Sequence, residues 1–523
     1  MIMMDDNEIP SNERSRLMDS TEDRGQQNLY VTTYEEAITK TGYGKFHYLV
    51  LALCGWAVSS DAIEVLSISF VLPAAQCDLN LTSNDKGWLN SIIFVGMMIG
   101  GYGWGSLADH FGRRQILLGS LTVNGLGALS SSFCQRFWVF LLMRLISGIG
   151  VGGSIPVIFS YFTEFQPKDR RGTMISVLAT FWMFGNIIAA GLAWIIVPLD
   201  IGYSSPDFTY DSWRIFIAIC TFPSLSSAAL FFLMPESPKF LLSVGKDEQA
   251  AAVLKKVYEV NNPHAILPYD VETIVLSSDN KSDSAHRSNA HKNITKTCGS
   301  RSITQLLNTT YELLRSPLRR STIIILTVSF TISFGYYGLW MWFPELFSRV
   351  EKYGGSPCDH IKETNSTDQS CTIPDNWTYQ SGFLTALSNL PGNLFTIFLM
   401  DKLGRKAILV TGMLGSGLAV FFIPLIHNKV ENLLISCAFG LISTLAWNAL
   451  DVLQAELFPT GVRSTAMGLS SAASRLGAIL GNLAFGELVD VHCAVPMILV
   501  SALLVVGGLT SLKLPNTTKV DIH

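Results

Sequence analysis

Charged residues are scarce in this chain. Lysine, arginine, aspartate and glutamate together make up 15% of its 523 residues, whereas an ordinary soluble protein has about 25%. The 37 basic and 41 acidic residues give a net charge of −4, which indicates neither nucleic acid binding nor a basic membrane-surface protein. The low charge content excludes a typical water-soluble protein.

Sequence signatures of catalysis are also missing. The chain has no Walker motif, so ATP is not its direct energy source. Its nine cysteines are scattered without metal-ligand spacing, and no nucleophile constellation is present. We therefore expect no enzyme, no metal and no cofactor. The N-terminal stretch lacks the apolar region of a cleaved signal peptide, so we expect the first membrane span to act as the insertion signal.

Long apolar runs are what the chain has instead. Hydrophobic residues make up 49% of the sequence, and the mean hydropathy is +0.34. About 20 apolar residues cross the roughly 30 Å core of a bilayer. Twelve such runs occur, near residues 46–72, 88–108, 115–133, 137–161, 172–197, 213–234, 320–345, 380–400, 407–426, 432–456, 464–488 and 493–514. The sequence therefore predicts an all-α membrane protein with twelve transmembrane helices in the lipid bilayer.

A short motif occurs twice with a spacing of 292 residues. The segment DHFGRR at 109–114 returns as DKLGRK at 401–406. Three further residues return at the same spacing, namely Glu164, Pro167 and Arg171 as Glu456, Pro459 and Arg463. Matched positions in one register indicate a duplicated unit. Because each copy lies among apolar runs, we predict two pseudo-symmetric six-helix halves.

Positive charges in the short loops predict the orientation. The opposite short loops hold only Lys86, Arg136 and Lys429. The loops after spans 2, 4, 8 and 10 hold Arg113, Arg114, Lys168, Arg170, Arg171, Lys402, Arg405, Lys406 and Arg463. We therefore expect both termini and the repeated motifs to face the cytosol.

The predicted spans divide the chain into five parts. These are a cytosolic tail at 1–45, a first half at 46–234, a cytosolic linker at 235–319, a second half at 320–514 and a cytosolic C-terminus at 515–523. The linker begins with amphipathic helical spacing, and its polar stretch at 276–300 is predicted to be disordered. In the tail, Glu13 precedes Leu17 and Met18 in a loose match to acidic dileucine sorting signals.

The loop at 346–379 is predicted to be luminal or extracellular. It contains Cys358 and Cys371, a candidate disulfide in an oxidising compartment, and sequons that begin at Asn365 and Asn376. Asn80 begins a third sequon on the same side, close to the membrane. We therefore predict N-glycosylation on this side of the membrane.

Several segments in a fixed order resemble the major facilitator superfamily. They are GSLADHFGRR, RLISGIGVGG, the Glu-x-x-Pro-x-x-x-Arg signature of both halves, and PESPKFLL. Four more segments, GGSIPVIFSYFTEF, FWMFGN, SFGYYGLW and WNALDVLQAELFP, resemble the synaptic vesicle glycoprotein 2 family. The resemblance covers essentially the whole chain and implies the major facilitator fold.

The repeated motifs are predicted to form charge latches on the cytosolic side. Gly112 and Gly404 permit tight turns, and an aspartate before each glycine can approach a helix N-terminus and the adjacent arginine. The predicted latch residues are Asp109, Arg113, Asp401 and Arg405, with clasps of Glu164 to Arg171 and Glu456 to Arg463, and Arg144 of span 4 as a buried partner. The resemblance implies that such latches break when the halves rock in alternating access.

Two carboxylates lie near the middle of span 1. Asp61 and Glu64 are three residues apart and share one helix face. Each ionised carboxylate at that depth costs roughly 2.5 to 3.5 kcal/mol on insertion scales. The pair predicts a proton-coupling or cation-binding site, with hydrogen bonding to neighbouring helices as the alternative.

Two opposite charges in the second half are predicted to pair between spans, Asp451 in span 10 and Arg475 in span 11. Trp447 lies on the helix face of Asp451. The resemblance implies that Trp447 and Asp451 line a central cavity with Phe159, Trp182, Tyr336 and Tyr337, which in that family also accepts racetam-type drugs. Such walls suit a flat or amphipathic organic ligand and attract cations.

The chain departs from that family in two places. Ser329 stands where the relatives carry a further cavity tryptophan, which leaves drug affinity open. The luminal loop at 346–379 lacks their long pentapeptide-repeat domain, so the role of that domain as a protein and toxin receptor does not carry over.

Two functions remain open from the sequence. One is a proton- or ion-coupled secondary transporter of a small organic solute. The other is a glycoprotein of secretory or synaptic vesicle membranes that binds ligands and partner proteins and transports little. Fold does not choose between them, but the latches and the intramembrane charges favour the transporter. We expect a monomer in a vesicle or plasma membrane, with vesicle proteins as candidate partners.

Overall fold

A computed structural model describes residues 31–206, 208–264, 269, 271, 273–275, 309–353, 375–426 and 428–515. The predicted sorting signal, the polar stretch at 276–300, Asn365 and the candidate disulfide between Cys358 and Cys371 lie outside these residues. The chain divides into two compact units. The larger contains the long helices, and the smaller combines the described part of Met1–Phe46 with that of Ser237–Lys281.

The elements follow a regular order along the chain. The N-terminal part gives β1 (Val31–Thr33) and α1 (Tyr34–Lys40). The first half comprises α2 (Lys45–Ala75), α3 (Ser83–Phe111), α4 (Arg113–Ser132), α5 (Phe137–Glu164), α6 (Lys168–Ile196), β2 (Gly202–Ser205), β3 (Phe208–Asp211), α7 (Ser212–Cys220) and α8 (Phe222–Phe231). The linker gives α9 (Pro238–Ser243), α10 (Asp247–Asn261) and β4 (Thr273–Val275).

The second half repeats the pattern of six spans. It comprises α11 (Arg319–Trp340), α12 (Phe343–Tyr353), α13 (Asn376–Leu403), α14 (Arg405–Phe422), α15 (Lys429–Leu457), α16 (Thr460–Leu488) and α17 (Ala494–Ser511). The pair α7 and α8 forms one span, and so does the pair α11 and α12. Because α12 runs to Tyr353 and α13 begins at Asn376, the predicted loop boundaries at 346 and 379 were wrong.

Nine spans in the described residues are long and apolar enough to cross a membrane. Three more long helices, α4, α13 and α16, fall between them in chain order, which gives the twelve spans that the sequence predicted. Polar and small residues lower the hydropathy of α13 and α16, which pack against α6 and α3 of the other half.

The smaller unit is built from two distant segments. Strand β1 pairs in parallel with β4, with Val31 opposite Thr273. A capping box of Thr33 and Glu36 starts α1, and the unit has its own apolar core around Tyr34 and Leu254. The predicted division into a tail and a separate linker therefore differs from the observed one, because the end of the tail folds together with linker residues.

Glycines let α3 and α5 approach closely within the first half. A Cβ atom added to Gly100 would lie 2.0 Å from the backbone oxygen of Ile149, and one added to Gly152 would lie 2.2 Å from that of Met97. Small residues at such positions bring membrane helices into backbone contact. This contact fixes how α3 presents its side chains to the second half.

Candidate functional site

The repeated motif forms the same turn in both halves. Gly112 ends α3 with a φ of 100°, and Gly404 ends α13 with a φ of 88°. A side chain is strained in this left-handed region, which explains the glycines. We call the end of the helix bundle that carries these two turns the motif face, and the other end the opposite face.

An arginine after each turn bonds to a glutamate at the end of a later helix. Arg113 Nε lies 3.3 Å from Glu164 Oε1, and Arg405 Nε lies 3.1 Å from Glu456 Oε1. Arg113 also lies 3.3 Å from Asp109. The side chain of Asp401 is not described. Each clasp stays within one half and ties the turn between the second and third spans of that half to the end of its fourth span.

The predicted partners of those two glutamates were wrong. Arg171 donates a hydrogen bond to the backbone oxygen of Gln166, and Arg463 donates one to that of Phe458, both at 3.1 Å. These two arginines cap the backbone at the ends of α5 and α15, five residues before them. Sequence spacing pointed to the arginine seven residues after each glutamate. It could not show that the fold brings a different arginine, from another helix, closer to that glutamate.

Arg144 is not part of the cytosolic latch. It is 1% exposed and forms an ion pair with Glu64 of α2, with a further hydrogen bond to Ser67 Oγ at 2.9 Å. Arg144 lies 20 residues before Glu164 on the same helix, about 30 Å away at 1.5 Å per residue. Arg144 therefore lies in the N-terminal part of α5, far from the motif face, and is grouped with the span 1 carboxylates.

Asp61 and Glu64 are enclosed within the first half. Asp61 is 0% exposed and accepts hydrogen bonds from Ser154 Oγ at 2.6 Å and Asn124 Nδ2 at 3.3 Å. Glu64 accepts from Arg144 and from Ser147. Both carboxylates are therefore hydrogen-bonded to neighbouring helices in this conformation, Asp61 to α4 and α5 and Glu64 to α5.

Three aromatic side chains of the second half form a cluster. Ring centroids of Tyr336 and Tyr337 are 5.2 Å apart, and each lies 6.1 Å from that of Trp447. Tyr337 also contacts Phe94 of α3, with centroids 4.9 Å apart. The Nε1 donor of Trp447 is buried and has no hydrogen-bond partner among the described residues. The cluster thus lies where the two halves meet.

The predicted ion pair of Asp451 with Arg475 is not formed in this structure. Arg475 is half-buried on α16. Asp451 is exposed, and both charged groups act electrostatically on Tyr337. A carboxylate and a guanidinium therefore lie in the neighbourhood of the same tyrosine. A solute with polar groups would find both a hydrogen-bond acceptor and a donor here.

The remaining predicted cavity residues are less closely connected to the cluster. Phe159 on α5 and Trp182 on α6 are half-buried in the first half. Ser329 is fully buried and shares a 2.6 Å hydrogen bond with Ser470 Oγ. This hydroxyl therefore joins α11 to α16 within the second half.

The opposite face holds features that the sequence did not predict. Lys86, expected in a loop, is 1% exposed and lies 2.6 Å from Glu345 of the second half. The sequence did contain a signal that Lys86 belongs to a helix, because Thr82 and Asp85 form a capping box that begins α3 at Ser83. Cys77 and Cys493 are both disulfide-bonded.

The predicted glycosylation sites within the described residues are accessible. Asn80 and Asn376 are both exposed. In the second sequon, Thr378 is buried and donates a 2.6 Å hydrogen bond to Glu351. Modification of these asparagines stays a prediction. No group of three metal-ligating side chains occurs within the described part of the chain.

Family models match both halves of the chain. The model for the sugar (and other) transporter family matches residues 26–350, and the model for the major facilitator superfamily matches residues 377–521. Together with the twelve spans, these matches define an integral membrane transporter rather than an enzyme.

Curated relatives narrow the family further. Synaptic vesicle glycoprotein 2C of Rattus norvegicus is 33% identical over 95% of this chain and 82% of its own length. Synaptic vesicle glycoprotein 2A of Homo sapiens is 31% identical over 94% of this chain and 80% of its own length. The chain therefore belongs to the major facilitator superfamily and, within it, to the synaptic vesicle glycoprotein 2 family.

Solved structures share the fold. The xylose transporter XylE from E. coli, in a partially occluded inward open conformation, has a TM-score of 0.66 at 18% identity and covers 91% of this chain and 99% of its own. A proton:xylose symporter structure of XylE has a TM-score of 0.60, also at 18% identity, and covers 90% and 96%. At this identity the likeness shows the fold alone.

Proposed function

We propose that the protein is a secondary active carrier that moves a small organic solute by alternating access. One observation carries this proposal, namely that the two halves are in contact on the opposite face while the same helices are exposed on the motif face. A carrier must close one side of its central site while the other side is open. The geometry has this asymmetry.

The closed side is tightly packed. A Cβ atom added to Gly87 of α3 would lie 3.0 Å from Gly486 Cα of α16. Ser91 Oγ donates a 3.1 Å hydrogen bond to the backbone oxygen of Ile479. The rings of Trp194 on α6 and Phe383 on α13 are 5.4 Å apart. Backbone contact at this level leaves no passage for a solute.

The open side involves the other ends of those helices. A Cβ atom added to Gly103 or Gly105 of α3, or to Gly468 of α16, would meet no described atom within 4 Å. Tyr102 is 67% exposed and Met467 is 42% exposed. Since loop charges predict that the motif face is cytosolic, this conformation corresponds to a carrier open to the cytosol.

The solute site is proposed to lie at the aromatic cluster of Tyr336, Tyr337 and Trp447. Asp451 and Arg475 supply the polar contacts, and the unpartnered indole donor of Trp447 supplies a third. Aromatic faces with a few polar groups favour a flat or amphipathic organic molecule, including a cation. A position at the junction of two repeats is typical of transporter sites.

Proton coupling is proposed to involve Asp61. This carboxylate is fully buried, and the partners described for it are the neutral side chains of Ser154 and Asn124. A buried charge without a cation is costly, and protonation removes the charge. Glu64 differs, because Arg144 compensates it. Of the two span 1 carboxylates, Asp61 is therefore the proposed proton-exchange group.

A vesicle membrane is the proposed location, with both termini in the cytosol. The named relatives are synaptic vesicle glycoproteins, and Asn80 and Asn376 lie toward the opposite face, where the lumen would be. The same relatives support a second candidate function, a vesicle glycoprotein that binds ligands or partner proteins and transports little.

A two-step experiment tests the carrier and separates it from the alternative. Purified protein is screened by thermal shift against organic cations, organic anions, hexoses and racetam-type compounds. Any stabilising compound is then offered, radiolabelled, to proteoliposomes with and without an imposed pH gradient. We expect uptake that the gradient accelerates. Stabilisation without uptake would support the binding glycoprotein instead, and uptake that ignores the gradient would exclude proton coupling.

A further inference from the structure

A chain of four charged side chains crosses the opposite face. Lys86 Nζ of α3 lies 2.6 Å from Glu345 Oε2 of α12. Glu345 also binds Arg349 at 3.0 Å through its other oxygen, and Arg349 binds Asp490 at 2.9 Å. Lys86 donates a second hydrogen bond to Gln76 at 3.1 Å. Two cations and two anions make the chain electrically neutral.

Only some of the bonds among these four charged side chains connect the two halves. Lys86 and Gln76 belong to the first half, while Glu345, Arg349 and Asp490 belong to the second. The Lys86–Glu345 ion pair is therefore a bond between halves. Arg349 adds a second such bond through a 3.1 Å hydrogen bond to Ser83 Oγ. The bonds of Arg349 to Glu345 and Asp490 stay within the second half.

We propose that Lys86 and Glu345 form a latch that holds the opposite face closed and sets how often the carrier opens there. The inference rests on the proposed alternating access. It assigns to two residues a positioning role in the transport cycle, away from the solute site. The latch lies eight residues from Phe94, which contacts Tyr337 in the aromatic cluster, so the latch closes the far side of that site.

The pair can act as a latch because both side chains are buried when the opposite face is closed. The side chain of Lys86 is 1% exposed and that of Glu345 is 6% exposed. Breaking a buried pair by removing one partner leaves an uncompensated buried charge, which is strongly destabilising. When the halves separate on this face, water reaches both groups and the penalty disappears. Loss of one charge therefore penalises the closed conformation and leaves the open one nearly unaffected.

The two charges are not equivalent. Glu345→Gln leaves Lys86 with only the neutral Gln76 as a described partner. Lys86→Met leaves Glu345 still bound to Arg349. We therefore expect Glu345→Gln to open the face more than Lys86→Met. The double variant removes both charges of the ion pair between the halves. We therefore expect its opposite face to be closed more often than in Glu345→Gln.

Hydrogen–deuterium exchange of the full-length protein in nanodiscs tests the latch without a solute. In Glu345→Gln we expect peptides covering 83–91 and 479–488 to exchange at least about tenfold faster, because removing one partner of a buried pair is strongly destabilising. Peptides covering 101–111 and 464–476 should exchange more slowly, because opening one face closes the other. The double variant should return toward the wild-type rates. Asp490→Asn is the matched control, because this carboxylate is 57% exposed and its bond to Arg349 stays within one half.

Unchanged exchange at 83–91 in Glu345→Gln would overturn the proposal, and so would a double variant as fast as the single one. If Glu345→Gln cannot be purified, Lys86→Met gives the decision, with a smaller acceleration in the same two segments expected. No change there would equally overturn the latch. A protein that shows these shifts but no uptake of any screened compound would keep the latch and refute the carrier function.

Discussion

Arg113 Nε lies 3.3 Å from Glu164 Oε1, and the pair 292 residues further on, Arg405 and Glu456, repeats the contact atom for atom at 3.1 Å. Each arginine begins the helix after a left-handed glycine, and each glutamate lies at the end of a later span. The duplication therefore preserved a bond within each half. It makes each half a rigid body at the motif face, as rocking of whole halves requires.

The two clasps differ in burial, which predicts different costs. The Glu164 side chain is 8% exposed and that of Glu456 is 18% exposed. We expect Glu164→Gln to lower the free energy of unfolding by about 1 to 3 kcal/mol, and Glu456→Gln by less than about 1 kcal/mol. Thermal unfolding of the purified variants measures both. Equal costs, or a larger one at Glu456, would contradict this reading of the clasps.

Asp61 and Glu64 are predicted to behave differently when neutralised. The amide of Asp61→Asn can accept from Asn124 through its oxygen and donate through its nitrogen to Ser154 Oγ, whose own proton can go to the backbone oxygen of Val151. Folding should therefore be intact while pH-gradient-driven uptake is lost. Glu64→Gln leaves Arg144 buried without its anion, and we expect a loss of several kcal/mol of stability. Uptake assays and unfolding curves separate the two effects. Wild-type uptake in Asp61→Asn would exclude the proton-exchange role.

Asp451 is predicted to serve the solute and not the fold. Because it is exposed and forms no ion pair with Arg475, Asp451→Asn should change stability by no more than about 0.5 kcal/mol. Affinity for a compound identified by thermal shift should fall about tenfold or more, as expected for loss of a charged hydrogen-bond partner. Glu431→Gln is the matched control, since Glu431 is exposed at the far end of the same helix. Equal affinities in both variants would refute the site.

Two glycines three residues apart on α3 are predicted to differ in tolerance. Gly100→Ala forces a Cβ atom against the backbone of α5, and overpacking of this kind costs about 1 to 3 kcal/mol or more. Gly103→Ala meets open space in this conformation and should leave the unfolding temperature unchanged. Thermal unfolding compares the two. Similar losses in both variants would mean that α3 and α5 do not approach as described.

Asp211, just before α7 on the opposite face, is predicted to make stability depend on pH. Partial burial, followed by the neighbouring Asp78 carboxylate, raises the pKa of Asp211 from 3.8 to about 6. Between those pH values the native state binds more protons than the unfolded state. The contribution of Asp211 to stability is therefore fully present below about pH 4 and is lost as the pH rises through 6. Asp211→Asn should flatten this slope. Unfolding midpoints measured from pH 4 to pH 7 check it, and an unchanged slope would rule out Asp211 as its source.

The sequence determined the architecture because membrane spans depend on local composition. Apolar run length predicted the twelve spans, the spacing of 292 residues predicted the two halves, and the family segments placed the chain among its relatives. Tight turns at Gly112 and Gly404 were also predicted, because glycine permits them. None of these conclusions requires knowing which helices touch.

Only the tertiary structure decided which charged groups are partners. Glu164 pairs with Arg113 rather than Arg171, Arg144 pairs with Glu64, and Arg475 forms no ion pair with Asp451. Lys86, expected in a loop, is buried and forms an ion pair with Glu345 of the other half. Each partner lies on another helix, and its distance depends on how helices pack and rotate, which no local spacing encodes. The 292-residue spacing predicted that the motifs repeat, and packing determined what each repeat holds together.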